Sequence, residues 1–139
     1  MKAKLKHLEM IQDVINRMAG NSFQLKGWSV TVLSALLALV AGSNRLVFVL
    51  PVALFPCVAF WVLDGFFLHQ ERLYRALYND VANKDAANIT FSMNTSAYTD
   101  EAGSWLGACL SRTLLIFHGI LLLGTIATST VIVFYFVGS

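Results

Sequence analysis

An apolar run of about 23 residues, Leu46–Leu68, passes into a polar continuation without a helix-breaking signal between the two. At about 1.5 Å per residue, a helix of this length crosses a hydrocarbon core of roughly 30 Å. The continuation is too polar for lipid, yet Leu73, Leu77 and Val81 recur along one face of a helix. The sequence therefore predicts one long helix, which spans a membrane and then continues as a cytoplasmic helix to about residue 82.

The composition favours a membrane protein over a soluble one. Hydrophobic residues make up 57% of the chain and charged residues only 13%, whereas about a quarter of a soluble domain is charged. The apolar excess falls in three blocks, which predicts a single all-α integral membrane domain with three transmembrane helices, an N-terminal amphipathic helix and a small cytoplasmic cap. The predicted elements are an amphipathic helix at 3–19, transmembrane helices at 28–44, 46–68 and 113–137, and a cytoplasmic segment at 83–110.

The first predicted helix carries apolar residues at spacings of three and four, which place them on one face. They are Leu5, Leu8, Ile11, Ile15 and Met18. The sequence Gly20-Asn21-Ser22 is expected to end this helix before the first membrane span begins. The apolar face either packs on the protein's own helices or lies in the headgroup plane of the bilayer. Acidic residues on the polar face favour packing on the protein.

The distribution of basic residues predicts the orientation in the membrane, because cytoplasmic loops carry an excess of lysine and arginine. All lysines and arginines except Arg45 fall before the first predicted span or between the second and the third. The N-terminus, the continuation of the second span and the segment at 83–110 are therefore predicted to be cytoplasmic. The turn around Arg45 and the C-terminus are predicted to face outward.

The polar segment after the second span shows a period of two. Ile89, Phe91 and Met93 alternate with polar residues, which predicts an extended stretch or a short strand. Because an isolated strand is unstable in water, this stretch is expected to lie on the protruding helix or on a partner chain. Thr99 is followed by two acids and is predicted to be the N-cap of a short helix at about 100–110.

Asp64 is the one acid within the predicted span at 46–68. A carboxylate at membrane depth is costly, so it should face protein or water and have a partner. Its position near the end of the span favours a structural anchor that pairs with a base at the same interface, such as Arg17, Lys26 or Arg112. A role in ion or proton movement is the alternative, although no further acid occurs at this depth.

Polar residues also follow the third span at spacings of seven, seven and three. They are Ser111, His118, Thr125 and Thr128. A polar stripe on a spanning helix should face other helices, either through interhelical hydrogen bonds or as the lining of a conduit. His118 has no second histidine or acid at metal-binding spacing, so no metal site is predicted and no cofactor is expected.

The sequence does not predict an enzyme, because it shows no Ser/His/Asp or Cys/His arrangement and no Gly-rich phosphate loop. Contact with a partner or ligand is expected on the basic cytoplasmic face at Arg17, Arg72 and Arg75, where a cytoplasmic sensor protein or a nucleotide second messenger could bind. No nucleic-acid partner is expected. A lone protomer with three spans has no interior wide enough for a path, so a homo-oligomer in the lipid bilayer is predicted.

Three strings of the chain carry a resemblance to known sequences. They are Lys6–Trp28, Leu63–Tyr78 and Phe91–Tyr98, the last followed by a Trp and a Ser-Arg-Thr span. The pattern resembles a family of small uncharacterised bacterial inner-membrane proteins, which implies a multi-pass protein of that membrane and transfers no catalytic or ligand-binding residue. Small multi-span proteins of this kind occur as membrane effectors in bacterial anti-phage systems, where a cytoplasmic sensor or second messenger triggers assembly and membrane damage.

Two functions are consistent with these features. The first is a membrane effector that oligomerises and perturbs or permeabilises the inner membrane on a cytoplasmic signal, by analogy with anti-phage defence. The second is a non-enzymatic anchor or scaffold that recruits a cytoplasmic partner through residues 1–26 and 69–104. The intramembrane polar residues favour the first, and the basic, aromatic cytoplasmic surface serves both.

Overall fold

The computed structural model describes residues 1–41 and 49–137. In this part of the chain the order is α1 (Lys2–Ala41), α2 (Val49–Asn83), α3 (Thr99–Ala102), α4 (Trp105–Cys109) and α5 (Arg112–Val137), with single-turn 3₁₀ helices at Ala86–Asn88 and Ser96–Tyr98. No β strand occurs among these residues. The helices α1, α2 and α5 are long and apolar enough to cross a membrane. The predicted all-α class and the three predicted spanning helices are therefore confirmed at this level.

The N-terminal region is one uninterrupted helix, so the predicted separation of an amphipathic helix at 3–19 from a span at 28–44 is wrong. A glycine inside a helix costs only about 1 kcal/mol, which tertiary contacts readily outweigh. Ser22 supplies such contacts, because its hydroxyl donates to Asp64 and accepts from Lys26. The predicted end of this span at residue 44, and the turn at 42–45, lie outside the described residues.

The second long helix follows the prediction closely. α2 runs to Asn83, which confirms that the span at 46–68 continues as a helix to about residue 82. The first three residues of that predicted span lie outside the described part of the chain. Pro56 lies inside the helix without ending it. Leu73, Leu77 and Val81 are all buried, so the predicted stripe is an internal face of the protein.

The helices α1 and α2 pack antiparallel against each other. Towards one end, Ile11 and Ile15 of α1 form a buried cluster with Leu77 and Val81 of α2. Towards the other end, Leu33 of α1 packs on the apolar half of α2. Burial of each such side chain away from water stabilises the fold by about 1.5–3 kcal/mol, which applies to the cluster at the polar end of the helices. At the apolar end, contact between helices in lipid would be driven by van der Waals packing instead. The apolar face of the N-terminal helix therefore packs on the protein's own α2.

Two polar regions extend from the apolar helices. We call residues 2–22 of α1 and 66–83 of α2 the stalk, and residues 84–104, which cover its tip, the cap. Ile89 and Met93 of the cap pack on the stalk cluster, which confirms that this segment lies on the protruding helix. Of the two predicted forms, an extended stretch or a short strand, the strand is absent from the described cap, where Ile89 is extended and Phe91 has a positive φ of 52°. The Phe91 ring instead meets the His7 ring edge-on, with centroids 5.6 Å apart.

The helix predicted at about 100–110 is two short helices, α3 and α4. Gly103 separates them with a φ of 77°, a conformation that side-chain-bearing residues rarely adopt. Thr99 is the first residue of α3 rather than its N-cap, a position that Tyr98 occupies. Ser104 caps α4 instead, since its Oγ accepts a hydrogen bond from the Gly107 N–H at 3.0 Å.

The last helix, α5, confirms the predicted span at 113–137. It packs mainly on the apolar half of α2, where Leu121 and Leu122 contact the cluster of Leu33, Ala53 and Cys57. Towards α1 it packs less closely, and a groove of about 700 Å³ separates the two helices. The apolar halves of the three long helices therefore form a bundle with the stalk and cap at one end.

Candidate functional site

Asp64 is the only aspartate, glutamate, lysine or arginine that is fully buried in the described part of the chain, with an exposed fraction of 0%. It lies on α2 where the apolar half of that helix meets the stalk. Lys26 Nζ of α1 lies 2.6 Å from its Oδ2, and His118 Nε2 of α5 lies 2.8 Å from the same oxygen. The Ser22 hydroxyl of α1 donates to Oδ1. We call Ser22, Lys26, Asp64 and His118 the Asp64 cluster.

The cluster confirms that Asp64 pairs with a base and selects Lys26 from the three bases that the sequence offered. Lys26 is also positioned by a second bond, since its Nζ donates to Ser22 Oγ at 2.8 Å. Arg17 and Arg112 are exposed and form no ion pair with Asp64. Because Lys26 comes from α1 and His118 from α5, one carboxylate joins all three long helices.

Aromatic rings enclose the cluster. The Trp61 ring stacks on His118 with a centroid distance of 5.7 Å and an interplanar angle of 9°. Phe117 covers Lys26, whose Nζ lies 5.9 Å from the ring centroid. The Trp61 indole N–H donates to the Cys109 carbonyl at 2.9 Å, which fixes the ring and ties α4 to α2. These rings lower the local dielectric and strengthen the hydrogen bonds to Asp64.

The geometry of the Asp64 cluster joins α1, α2 and α5 through one carboxylate, as a structural anchor would. Both carboxylate oxygens accept hydrogen bonds and neither is exposed, so a soluble ligand does not reach them. Removing one partner from a buried ion pair typically costs about 3–5 kcal/mol, because it leaves an uncompensated charge. His118 donates through Nε2, and its Nδ1 is buried without a hydrogen-bond partner in the described structure.

The predicted polar stripe on α5 is partly confirmed in its placement. His118 and Thr125 are buried, and the Thr125 hydroxyl lies 3.6 Å from Cys57 Sγ of α2. Thr128 is exposed in the protomer and does not share the buried face of His118 and Thr125, whereas Ser129 occupies that face with an exposed fraction of 2%. The reason is the helical repeat. In an α-helix, a residue four positions after Thr125 lies closer to the face of Thr125 than a residue three positions after it, and here it lies on the side towards α2. Contact of Thr128 with another copy of the chain, or with a conduit, stays a prediction.

Ser111 precedes α5 and is half-buried, with an Oγ that is buried and has no partner in the described structure. The polar residues at 118, 125 and 129 are covered by neighbouring helices in this conformation. They therefore act here through packing and interhelical contact, and an open path along α5 would require this helix to move away from α2.

The three arginines predicted to contact a partner do not line one hollow. Arg72 and Arg75 line a hollow of about 380 Å³ on the stalk together with Glu101 of α3. Arg75 is already paired with Glu71, because its Nη2 lies 2.7 Å from the Glu71 Oε1. Arg17 is exposed on α1 and does not line this hollow. Glu101 makes the hollow less favourable for a phosphate than the sequence alone indicates.

The cap has its own charged contact, outside the apolar helices. Asp80 of α2 accepts hydrogen bonds from Lys84 and from the Tyr98 hydroxyl, the latter at 2.7 Å. The hydrogen bond from Lys84, and to a smaller extent the one from Tyr98, holds the pKa of Asp80 below its usual value. The hydrogen bond to Asp80 raises the pKa of Tyr98 to about 12. Tyr98 therefore fastens the cap to the stalk in its neutral form.

Sequence reasoning missed two of Asp64's partners. The sequence predicts Ser22 at a helix end, and nothing near it indicates a carboxylate 42 residues away. The spacing on the third span predicts His118 in a polar stripe and does not pair it with Asp64, although the sequence contains a signal for that pair. Asp64 lies a few residues before the end of its predicted span and His118 a few residues after the start of its own, so both are expected at the same depth.

Comparisons of the chain with protein-family models, with curated proteins and with solved structures find no match. Within residues 1–41 and 49–137, no three His, Cys, Asp or Glu side chains are grouped so that they could hold a metal ion.

Proposed function

We propose that this chain is a multi-pass protein of the bacterial inner membrane, with its N-terminus in the cytoplasm, and that it acts as a membrane effector. In this proposal the stalk and cap receive a cytoplasmic signal, and copies of the chain then assemble and permeabilise the membrane, as in anti-phage defence. No reaction is part of the proposal. The single observation that carries it is the Asp64 cluster, which joins three helices at the boundary between stalk and apolar bundle.

The continuity of the helices supports transmission of a signal. α1 and α2 each run unbroken from the stalk into the apolar bundle, so a displacement at the cap shifts both helices at the level of Asp64. A charge-assisted hydrogen bond is directional and short, and therefore it is lost after a small displacement. In this proposal, a movement of the stalk breaks the hydrogen bond between His118 and Asp64, and α5 then separates from α2.

The burial of the polar residues supports assignment of this conformation to the resting state. Thr125 and Ser129 are covered by neighbouring helices, so a protomer in this conformation offers no polar face to an ion. Separation of α5 from α2 would expose them, and several protomers would then be needed to enclose a path, because the described residues of one protomer form three long helices.

The proposal is tested by weakening the Asp64 cluster in cells. Asp64→Asn keeps the shape of the side chain but removes the charge that holds Lys26 and His118. Asp13→Asn is the matched control, because Asp13 is an exposed acid on α1 outside the cluster. Both variants and the wild type are expressed in a bacterial host, inserted amounts are matched by membrane fractionation, and membrane potential and uptake of an impermeant dye are recorded.

The expected result is depolarisation and dye uptake in cells with Asp64→Asn, with intact membranes in cells with wild type or Asp13→Asn. Intact potential and dye exclusion with Asp64→Asn, at an inserted amount equal to that of the control, would contradict the effector proposal. Equal depolarisation with the control variant would show that expression alone damages the membrane and would contradict the role of the cluster.

A second candidate function is a membrane anchor that recruits a cytoplasmic partner. The hollow on the stalk favours it, because Arg72 lines this hollow and forms no ion pair with any described residue. A partner with a single exposed carboxylate would suit Arg72 better than a nucleotide would, because Glu101 also lines the hollow and repels a single negative charge less than the several charges of a nucleotide. In this case Arg72→Glu would abolish recovery of the partner in a pull-down, while the membrane would stay intact whatever the state of Asp64.

A further inference from the structure

The groove between α1 and α5 lies on the outside of the bundle and is apolar along most of its length. Val30 of α1 and Ile116 and Ile120 of α5 line it, and these three side chains are 45%, 56% and 67% exposed. On α5 the lining runs from residue 112 to residue 124, a rise of 12 residue steps or about 18 Å along a helix. One leaflet of a bilayer has about 15 Å of hydrocarbon, half of a core of roughly 30 Å. The groove therefore matches the length of one acyl chain.

Basic groups lie at one end of the groove. Lys26 of α1 and Arg112 of α5 both line it there, and Thr113 adds a hydroxyl beside them. Arg112 is exposed and forms no ion pair with any residue in the described part of the chain. Lys26 uses two of its three ammonium donors on Asp64 and Ser22, so one donor is left for a further oxygen. Because Asp64 balances the charge of Lys26, the net charge at this end is supplied by Arg112.

We propose that this groove binds one anionic phospholipid of the cytoplasmic leaflet. The headgroup phosphate accepts hydrogen bonds from Arg112 and from the remaining donor of Lys26, and one acyl chain lies along Ile116 and Ile120 towards Gly124. The inference rests on the proposed insertion and orientation in the membrane but not on the proposed effector activity. A lipid of this class joins α1 to α5 at the place where these helices pack least closely.

The charges of the chain favour a lipid over a second copy of the protein in this groove. In the described parts of the apolar bundle, residues 23–41, 49–65 and 113–137, the sole acid is Asp64, which is fully buried. A second copy that packs side by side therefore offers no carboxylate at the level of Arg112. The phosphate of a lipid lies at that level by necessity, because the apolar part of the groove begins directly beside Arg112.

The test uses the full chain, purified in detergent and stripped of lipid. Native mass spectrometry measures retention of added dioleoyl phosphatidylglycerol, with the zwitterionic dioleoyl phosphatidylcholine as reference lipid. Arg112→Gln removes the headgroup charge, and Arg17→Gln is its matched control on the exposed face of α1. Gly124→Leu fills the apolar end of the groove, where an added Cβ meets nothing within 4 Å, and Gly119→Leu is the matched control outside the groove.

The wild type is expected to retain the anionic lipid over the zwitterionic one. Loss of one basic contact is expected to weaken this retention about fivefold in Arg112→Gln, and Arg17→Gln is expected to retain the lipid as the wild type does. Gly124→Leu is expected to weaken it several-fold, because displaced acyl methylenes lose their apolar contact, while Gly119→Leu leaves it unchanged.

Three results would overturn the assignment. Equal retention of both lipids, or an unchanged preference in Arg112→Gln, would show that the basic end does not select an anion. A site for a free anion would be identified by two results together: Arg112→Gln weakens lipid retention while Gly124→Leu does not, and inorganic phosphate displaces the lipid from the wild type and from Gly124→Leu equally. Dimers that persist without lipid and are lost in Gly124→Leu would identify a second copy as the occupant. None of these readouts depends on membrane permeabilisation, so the effector proposal is tested separately.

Discussion

Replacement of Lys26 by methionine tests the central claim about the Asp64 cluster. Lys26→Met keeps an unbranched apolar side chain of nearly the same length but removes the ammonium that lies 2.6 Å from Asp64 Oδ2 and 5.9 Å from the Phe117 ring centroid. Asp64 is fully buried, so its charge would lose its cationic partner without gaining water. Removing one partner of a buried pair costs about 3–5 kcal/mol. Since Ser22 and His118 still donate to the carboxylate, we expect a loss at the lower end, about 3 kcal/mol.

The free energy of unfolding is measured by denaturant titration of the purified protein in mixed micelles, with circular dichroism as the signal. Lys6→Met serves as the matched control, because Lys6 pairs with Glu9 at 3.1 Å while both side chains are largely exposed, at 72% and 64%. An exposed pair of this kind contributes about 0.5 kcal/mol or less. The double variant Lys26→Met/Asp64→Leu removes both charges, so it should be far more stable than the sum of the two single losses indicates.

The interpretation would be refuted by a loss in Lys26→Met no greater than that in Lys6→Met. It would also be refuted by strict additivity in the double variant, because independent losses mean that Lys26 does not compensate the charge of Asp64. A large loss that the double variant recovers would support the Asp64 cluster as a structural anchor and exclude a general packing defect at Lys26.

Three further predictions follow from other contacts. Gly65→Ala should lower the free energy of unfolding by about 1–3 kcal/mol, because the added methyl group would overlap Cys109 Sγ and lie 3.3 Å from the Cys109 Cα. Gly119→Ala is the control, because an added Cβ there meets nothing within 4 Å. Equal unfolding curves for the two variants would contradict this packing. Ser104→Ala should cost about 1 kcal/mol by loss of the cap on α4, measured in the same titration, and Ser104→Thr should recover most of it. The hydrogen bond to Asp80 raises the pKa of Tyr98 from an ordinary value of 10.0 to about 12, so the stability from this bond is full below pH 10 and is lost as the pH rises from 10 to 12. Because the chain has three other tyrosines, the measurement is the difference between the ultraviolet titrations of the wild type and Tyr98→Phe. This difference should show a phenolate step near pH 12, and a difference step near pH 10 would disprove the bond.

The long helices and their order could be predicted because each is specified by local signals. The apolar run before Leu68 and the stripe of Leu73, Leu77 and Val81 share one helical repeat, and no turn signal interrupts them. The break predicted at Gly20-Asn21-Ser22 failed for the opposite reason. Those residues favour a turn in isolation, and the hydroxyl contact that holds them in a helix comes from a residue far along the chain.

The candidate site was predicted only in part. The structure selects Lys26 from the three candidate bases. That a lone acid in an apolar span has a basic partner at the same interface could be inferred from cost alone. The exposure of Thr128 could not be inferred from the sequence. A spacing of three or four residues shifts a side chain by only part of a turn, so the rotation of α5 against α2 decides which of Thr128 and Ser129 is covered. Rotation depends on packing between helices, which no local pattern records.

The order in which the Asp64 cluster is synthesised has a consequence for biogenesis. Ser22 and Lys26 leave the ribosome before Asp64, and His118 follows 54 residues after it. When the second long helix emerges, its carboxylate therefore already has a hydroxyl and an ammonium on the preceding helix, and the hairpin of α1 and α2 can enter the bilayer with its charges matched. The last helix arrives later and adds a hydrogen bond to an existing pair. We therefore expect a nascent chain to insert as a helical hairpin first and to acquire its third helix as a separate step.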